Sequence, residues 1–276
     1  MIRCQPLLGT FVEIQISTEG CNHAKELAAI TSAFDAIKKV QELMSVHSAF
    51  SHLSHINALA HKQVVSVHPW VWQVISISKD LYLQSGGLFN VGIGHVLTET
   101  GARPIFTKHL KPIGDIEDIE LLEKNQIRSK KPVHLDLGGI AKGFAVDRAV
   151  DALLSSGINE GVVNAGGDMR VFGSKPHHVK VRSPKNPNLL IDMGTLKDGA
   201  IATSANYFTP SDKDGLPTGH IVRSQTKAIE KSSFSFSVVA PLCALADALT
   251  KVFMLSGDAK HPCISKYRAQ AFQLSV

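Results

Sequence analysis

Residues His134 to Asp168, HLDLGGIAKGFAVDRAVDALLSSGINEGVVNAGGD, carry the residue types that a phosphate site needs. A short apolar strand is predicted to end at Asp136-Leu137. The pair Gly138-Gly139 then opens a helix that carries Lys142 in its first turn and stops at Gly157. A second strand is predicted from Gly161 to Asn164. Glycines at a strand-to-helix turn let a ligand approach the backbone, and the free N–H groups at a helix start favour an anion. Lys142 adds a full positive charge to such a site. The spacing GGxxxG is neither the GxGxxG dinucleotide fingerprint nor a P-loop, which would need GK[ST]. A packing reading stands beside this one: the same glycines would let a helix lie close on a sheet, with Lys142 in solvent.

Other chemistry-bearing residues point nowhere so specific. His52 and His55, in the polar stretch Ser45 to Asn57, are spaced to share a helical face, so a metal is considered there. It is rejected because no carboxylate or cysteine stands beside them at ligand spacing, and a chain with 13 histidines produces such pairs by chance. Cys4, Cys21, Cys243 and Cys263 form no CxxC, which excludes a zinc ribbon or redox pair and leaves free thiols. The net charge of +5 comes from scattered lysines and arginines, without the basic-aromatic strip of a nucleic-acid binder.

The elements that must position these residues follow from periodicity. Thr10 to Ile16 alternates as a half-buried strand, and His23 to Met44 is helical, with Leu27, Ile30, Phe34, Ile37 and Met44 predicted inward and Lys38-Lys39 in water. Val64 to Val67 is a short strand, and Pro69 opens a helix through Leu81 that ends at Gly86-Gly87. GLFNVGIGHVL reads as a glycine-spaced loop. Strands are predicted at Asp168 to Phe172, His178 to Arg182, Leu190 to Leu196, Gly199 to Tyr207 and Phe234 to Ala240. A loop from Pro210 to Gly219 leads to His220-Ile221-Val222. Pro241 precedes a helix from Leu242 to Leu255 that Gly257 terminates, and Tyr267 to Val276 closes the chain as a strand. Strands and helices mix without βαβ alternation, which gives an α+β class, and no linker divides the 276 residues, which gives one domain over 1–276. MIRCQPLLGT has no charged and apolar leader, and no run reaches the length of a membrane span. A cytoplasmic location is the expectation, and a periplasmic one if a leader has been trimmed.

In order along nearly the whole chain, LLGTFVEI, SHLSHIN, GLFNVGIG, HLDLGGIAKGFAVD, VVNAGGDMRVFG, IATSANY, the HIV at 220–222 and LADALTKVFMLSG resemble the ApbE family, the FAD:protein FMN transferases. The resemblance implies an ApbE-like, T-fold-related single domain of mixed sheets and packed helices. It also implies an enzyme that cleaves FAD with help from magnesium, attaches FMN by a phosphoester to a threonine of an acceptor protein, and releases AMP. Under it, Leu8, Phe89, Asn90, Asp136, Lys142 and Ile221 fall at FAD-binding positions, and His220 at that of the general base toward the acceptor hydroxyl. The Gly139 carbonyl, Asp247 and Thr250 fall among the magnesium ligands. The NAGGD turn either brings the backbone close to the ligand or is a packing turn.

The sequence departs from the family pattern where the chemistry lies. The last helix of the family reads as an aspartate followed four residues later by a threonine, both on the metal. Here Thr250 stands three residues after Asp247 and Lys251 stands four after it. Both positions share a helical face with Asp247. Either Thr250 still reaches the ion, or the Lys251 ammonium takes the metal's place, since a lysine aimed at a divalent cation is repelled. Asn90 replaces an aspartate, Ala205-Asn206 replace a glycine-aspartate pair, and Ser224 stands where a proline is usual. These changes raise an alternative: an FAD-binding protein of the same fold that has lost transfer.

Overall fold

The structure is a computed structural model. It describes residues 1–17, 22–101, 113–184, 186, 188–205, 221–223, 226, 228–230 and 234–274. The chain begins with β1 (Ile2–Leu7), β2 (Thr10–Ile16), α1 (His23–Met44), α2 (His52–Leu59), β3 (Val65–Ser66), α3 (Pro69–Gln84) and α4 (Gly94–Glu99). Next come β4 (Ile119–Leu122), β5 (Gln126–Ser129), α5 (Ala141–Ser155), β6 (Gly161–Ala165), β7 (Asp168–Phe172), β8 (His177–Arg182), β9 (Leu190–Leu196) and β10 (Gly199–Ala205). It ends with β11 (Val222–Arg223), β12 (Ala228–Ile229), β13 (Ser235–Ala240), α6 (Cys243–Ser256), α7 (Pro262–Lys266) and β14 (Gln270–Leu274). The α+β class holds.

The chain divides into two compact units. The first comprises Met1–Gln41, Ile140–Ala205 and Phe234–Val276, and the second Glu42–Gly139 and Asn206–Ser233.

In the first unit an antiparallel sheet runs in the order β1-β2-β6-β7-β10-β13-β14. Alternation along its strands makes two apolar faces. One carries Val163, Phe172, Ala202 and Val238, and the helices α5 and α6 pack against these strands. The other carries Val162, Met169, Val171 and Ile201, and joins Val179 and Val181 of the β8–β9 hairpin. α6 is buried on nearly every side, from Cys243 to Leu255, and Gly257 ends it in the left-handed conformation with φ 69°. Its approach to α5 depends on Gly143. A Cβ there would stand 2.2 Å from the Cys243 carbonyl oxygen and 2.8 Å from the Ala244 nitrogen. The packing reading of the GGxxxG glycines is therefore right for Gly143, although the partner is a helix and not the sheet.

In the second unit β3, β5 and β4 form a three-stranded antiparallel sheet, and β11 pairs with β12. α3 starts at Pro69 as expected, with the His68 side chain accepting a hydrogen bond from the Trp70 N–H, and buries Val71, Val74, Ile75 and Leu81.

Three sequence expectations change. The segment before Asp136 is extended but joins no sheet. Its ladder partner is a side chain: Asn57 donates from Nδ2 to the Leu135 carbonyl at 3.0 Å and accepts from the Leu135 N–H at 2.8 Å. The glycine-spaced stretch after Gly87 turns into α4 at Gly94. On α1 the buried stripe passes through Glu26, Ile30, Phe34, Ile37 and Met44, leaving Leu27 44% exposed, because the stripe lies one residue away from the apolar pattern in the first turn. β1, β4 and β5 were not expected, being short and without clear alternation. The expected strand residues Asn206, Tyr207, Ser275 and Val276 lie outside the described residues, as do Cys21 and the loop from Pro210 to Gly219.

Replacing Gly143 with alanine is expected to destabilise the chain by about 1–3 kcal/mol, the cost of forcing extra volume into packed backbone. Gly199→Ala, whose Cβ meets nothing closer than 3.4 Å, is expected to be near neutral. Denaturant midpoints of the two variants check this.

Candidate functional site

The residues that could do chemistry gather, in the first unit, where α5, β7 and α6 begin or pass. β6 and β7 are joined by a two-residue turn, Gly166-Gly167, with φ 63° and 105°, and the Gly167 N–H is held by the Asn164 side chain at 2.9 Å. A Cβ on Gly166 would meet Thr10 Oγ1 at 2.4 Å, so this NAGGD glycine is fixed by packing. The turn delivers Asp168 to the helix-covered face, where it is 3% exposed and pairs with Lys142 Nζ from the first turn of α5.

Asp247 lies on α6 and is completely buried. Its Oδ2 accepts the Gly143 N–H at 3.2 Å, and its Oδ1 pairs with Lys251 Nζ, which also donates to the Asp247 carbonyl at 2.9 Å. Thr250 is buried too. Its hydroxyl donates to the Asp247 carbonyl at 2.7 Å and stands 2.7 Å from Ser204 Oγ on β10. The four charged side chains act on one another. Burial alone would lower the pKa of Lys142, but the carboxylates of Asp168 and Asp247 outweigh it and hold the ammonium well above the ordinary lysine range. Burial, and then the nearby Asp247 carboxylate, push Asp168 up, against the pull of Lys142 and Lys251.

The magnesium ligands suggested by the family likeness do not fit a divalent ion at this point. Both Asp247 carboxylate oxygens already have partners, one of them an ammonium. The Thr250 hydroxyl is spent on a carbonyl and on Ser204. Among the described residues no group of three or more His, Cys, Asp or Glu side chains is placed to hold a metal.

One residue of this region was not singled out from the sequence. Asp147, on the buried side of α5, accepts the N–H groups of Cys243 at 3.0 Å and Ala244 at 2.9 Å, and takes a hydrogen bond from Arg170 Nη1 at 2.9 Å. It therefore caps α6, whose own N-cap residue Leu242 supplies no side-chain bond. Burial raises its carboxyl pKa, and the two amides and Arg170 oppose that rise. The signal in the sequence was a carboxylate on the apolar face of a helix, which rarely stays buried without partners. The Cys243 thiol beside it is pushed up by burial and then by Asp147, Asp168 and Asp247, which favours the neutral thiol over the thiolate.

The remaining sequence candidates lie as follows. In the first unit Leu8 is the first residue of the β1–β2 turn, at φ 56°, and its N–H donates to Gln41 Oε1 at 2.7 Å. A leucine in the left-handed region costs energy that its neighbours must offset. In the second unit Asp136 Oδ1 accepts the Gly138 N–H at 2.7 Å and its N–H donates to the Val91 carbonyl at 2.8 Å, which rigidifies the approach to Gly139. Asn90 is turned into its own loop, accepting from the Gly92 N–H at 2.7 Å and donating to Asp115 Oδ2 at 3.0 Å. Phe89 is buried beside it, and Ile221 is half-buried, its carbonyl accepting the Glu230 N–H. His220 and Ser224 lie outside the described residues. His52 and His55 rings are 6.5 Å apart, and His52 Nδ1 accepts the His68 N–H, a structural task.

Comparison with known proteins bears on this arrangement. The family model described as the ApbE family matches residues 8–272. The FAD:protein FMN transferase of Vibrio cholerae is 27% identical, over 98% of this chain and 84% of its own length. That of Rhodobacter capsulatus is 28% identical over 75% of this chain, and the match spans 42% of the relative. The solved structure of the flavin transferase ApbE from Vibrio cholerae superposes with a TM-score of 0.83 at 24% identity, covering 99% of this chain and 92% of that one. The ApbE protein of Thermotoga maritima gives 0.83 at 24% identity, over 98% and 93%. These structural likenesses concern the fold. No helix among the described residues is long and apolar enough to cross a membrane.

Two outcomes are expected from this geometry. Asp147→Ala leaves two helix amides and Arg170 without their partner, and should cost about 3 kcal/mol in denaturant unfolding. The Lys142 pair should show a pH signature. Its folded pKa lies above the unfolded value of about 10.4, so its contribution is complete below that pH and is lost as pH rises toward the folded value. The stability gap between wild type and Lys142→Met should be flat from about pH 7 to 9 and shrink above about pH 10.4.

Proposed function

The chain belongs to the ApbE family, and from that premise we propose that it is an FAD:protein FMN transferase. The observation that supports this reading best is the Lys142 ammonium fixed by Asp168 at the start of α5. It offers a held positive charge beside a helix N-terminus to a diphosphate.

The threonine hydroxyl oxygen of the acceptor attacks the phosphorus on the FMN side of the FAD diphosphate, forming a P–O bond. The bond from that phosphorus to the bridging oxygen breaks, and its electron pair leaves on AMP. His220 receives the hydroxyl proton. A histidine suits this task because its ordinary pKa of about 6.5 leaves it unprotonated, yet basic, at neutral pH. Charge accumulates on the departing phosphate, so fixed cations already in place stabilise the transition state more than the ground state. Lys142 is assigned that role in the first unit. Leu8 in the first unit, and Phe89, Asn90, Asp136 and Ile221 in the second, keep the FAD-binding roles that the family likeness gives them. Their tasks are to shape and rigidify backbone more than to donate free side-chain groups, since the Asn90 amide and one Asp136 oxygen are bound within their own loops. The partner is an acceptor protein bearing the threonine.

A fluorescence titration with FAD is expected to show saturable binding that Lys142→Met weakens at least tenfold. With a threonine-bearing acceptor, AMP should appear one for one with covalent flavin, and His220→Ala should slow transfer by about 10²–10⁴-fold while FAD affinity is kept. Absence of saturable binding overturns the proposal. Binding without AMP release or covalent flavin identifies a transfer-silent FAD protein of the same fold.

A further inference from the structure

We propose that Lys251 takes the place of a divalent cation in this chain: its ammonium balances the buried Asp168 and Asp247 carboxylates together with Lys142, keeps metal out, and faces the substrate diphosphate as a built-in point charge. The last clause rests on the FAD reading above, and the exclusion of metal does not.

Asp247 is completely buried, and a charge in such a place must be met by a partner close at hand. Lys251 meets it from the next turn of the same helix, and the Gly143 N–H occupies the other oxygen, so each oxygen of that carboxylate already has a partner. A divalent ion brought to Oδ1 would have to displace an ammonium tied to it by only four residues of rigid helix.

Asp168 and Asp247 supply two negative charges, and Lys142 and Lys251 two positive ones. A cluster already neutral has nothing to offer a cation of charge two, and the two ammoniums would repel it. A site made to hold a metal keeps an excess of carboxylate or neutral oxygen donors. Here the Thr250 hydroxyl, a neutral oxygen close by, is engaged with the Asp247 carbonyl and Ser204.

An ammonium has three N–H bonds. Asp247 takes two of them, through Oδ1 and its carbonyl, and the third has no acceptor among the described residues. The side chain keeps 17% exposure, in contrast to the complete burial of Asp247. An ammonium held by two bonds and open along the third is placed to donate to an anionic oxygen without a metal between them.

The test uses the full chain with Mn2+ as probe, counted by electron paramagnetic resonance, and FAD followed by fluorescence. Wild type is expected to take up no more Mn2+ than Asp247→Asn. Lys251→Thr, which removes the ammonium and puts a hydroxyl at the fourth position, is expected to gain saturable uptake of one ion per chain. FAD affinity of the wild type should differ by less than twofold between EDTA and magnesium, whereas Lys251→Thr should bind at least tenfold more weakly in EDTA and recover with magnesium. Mn2+ uptake by the wild type that Asp247→Asn abolishes overturns the inference, and so does a tenfold gain in wild-type FAD affinity from magnesium. A folded Lys251→Thr chain that gains no Mn2+ overturns it as well. If circular dichroism shows that variant unfolded, the wild-type measurements decide alone. Failure of FAD to bind the wild type under any condition overturns the FAD reading and leaves the Mn2+ comparison to decide whether metal is excluded.

Discussion

The amides that open α6 have no cap from the residue preceding them, and they find one across the helix interface in Asp147 of α5. Two N–H bonds to a carboxylate, with Arg170 closing the charge, are worth about 1.5–3 kcal/mol each in a buried setting and are costly to leave unmade. That bond set fixes how close the two helices come, and the missing Cβ of Gly143 leaves room for the approach. With the interface at that spacing, the Gly143 N–H reaches Asp247, and Asp247 lies near enough to Asp168 and Lys142 for each to feel the other's charge. A looser interface would keep the fold and disperse the charges.

The chemistry of the region is therefore a matter of charge balance. A protein can hold two carboxylates side by side in its interior with a metal, with protons, or with ammoniums. Metals bring strong binding and open coordination positions, at the cost of dependence on supply. Ammoniums are permanent and lie at fixed points, but each is one charge on a flexible stem. The i,i+4 relation between Asp247 and Lys251 removes most of that flexibility, because the helix itself sets the separation.

Much of the first unit was legible in the sequence. Period-two apolar patterns marked β2, β7 and β9 to the residue, and Gly157 and Gly257 marked helix ends, as Pro69 did in the second unit, because these depend on local chemistry. The Asp247–Lys251 pairing was legible as well, since helical spacing alone brings it about. What the sequence concealed depended on contacts between distant segments. Asp147 looks like any carboxylate on a helix until α6 is laid beside it. The extended run before Asp136 has the composition of a strand, yet it meets an asparagine amide from α2 where a neighbouring strand would be. Gly143 matches the sort of glycine that lets a phosphate approach, and what it admits is the carbonyl of Cys243. In each case the residue type was informative and its partner was not.

The first unit is assembled from three stretches of chain, with β2 paired to β6 across the whole of the intervening Glu42–Gly139 segment, and β10 paired to β13 across another insertion. Closing such long loops is slow, though its entropic cost grows only with the logarithm of their length. The order of synthesis then has a consequence for the charges. Lys142 and Asp168 emerge from the ribosome well before Asp247 and Lys251, so a nascent chain carries the first pair in water, hydrated and cheap to keep. Only when α6 has followed are Asp247 and Lys251 available to join them. The interior charge cluster thus waits on α6, whose arrival brings the second carboxylate and the second ammonium at once.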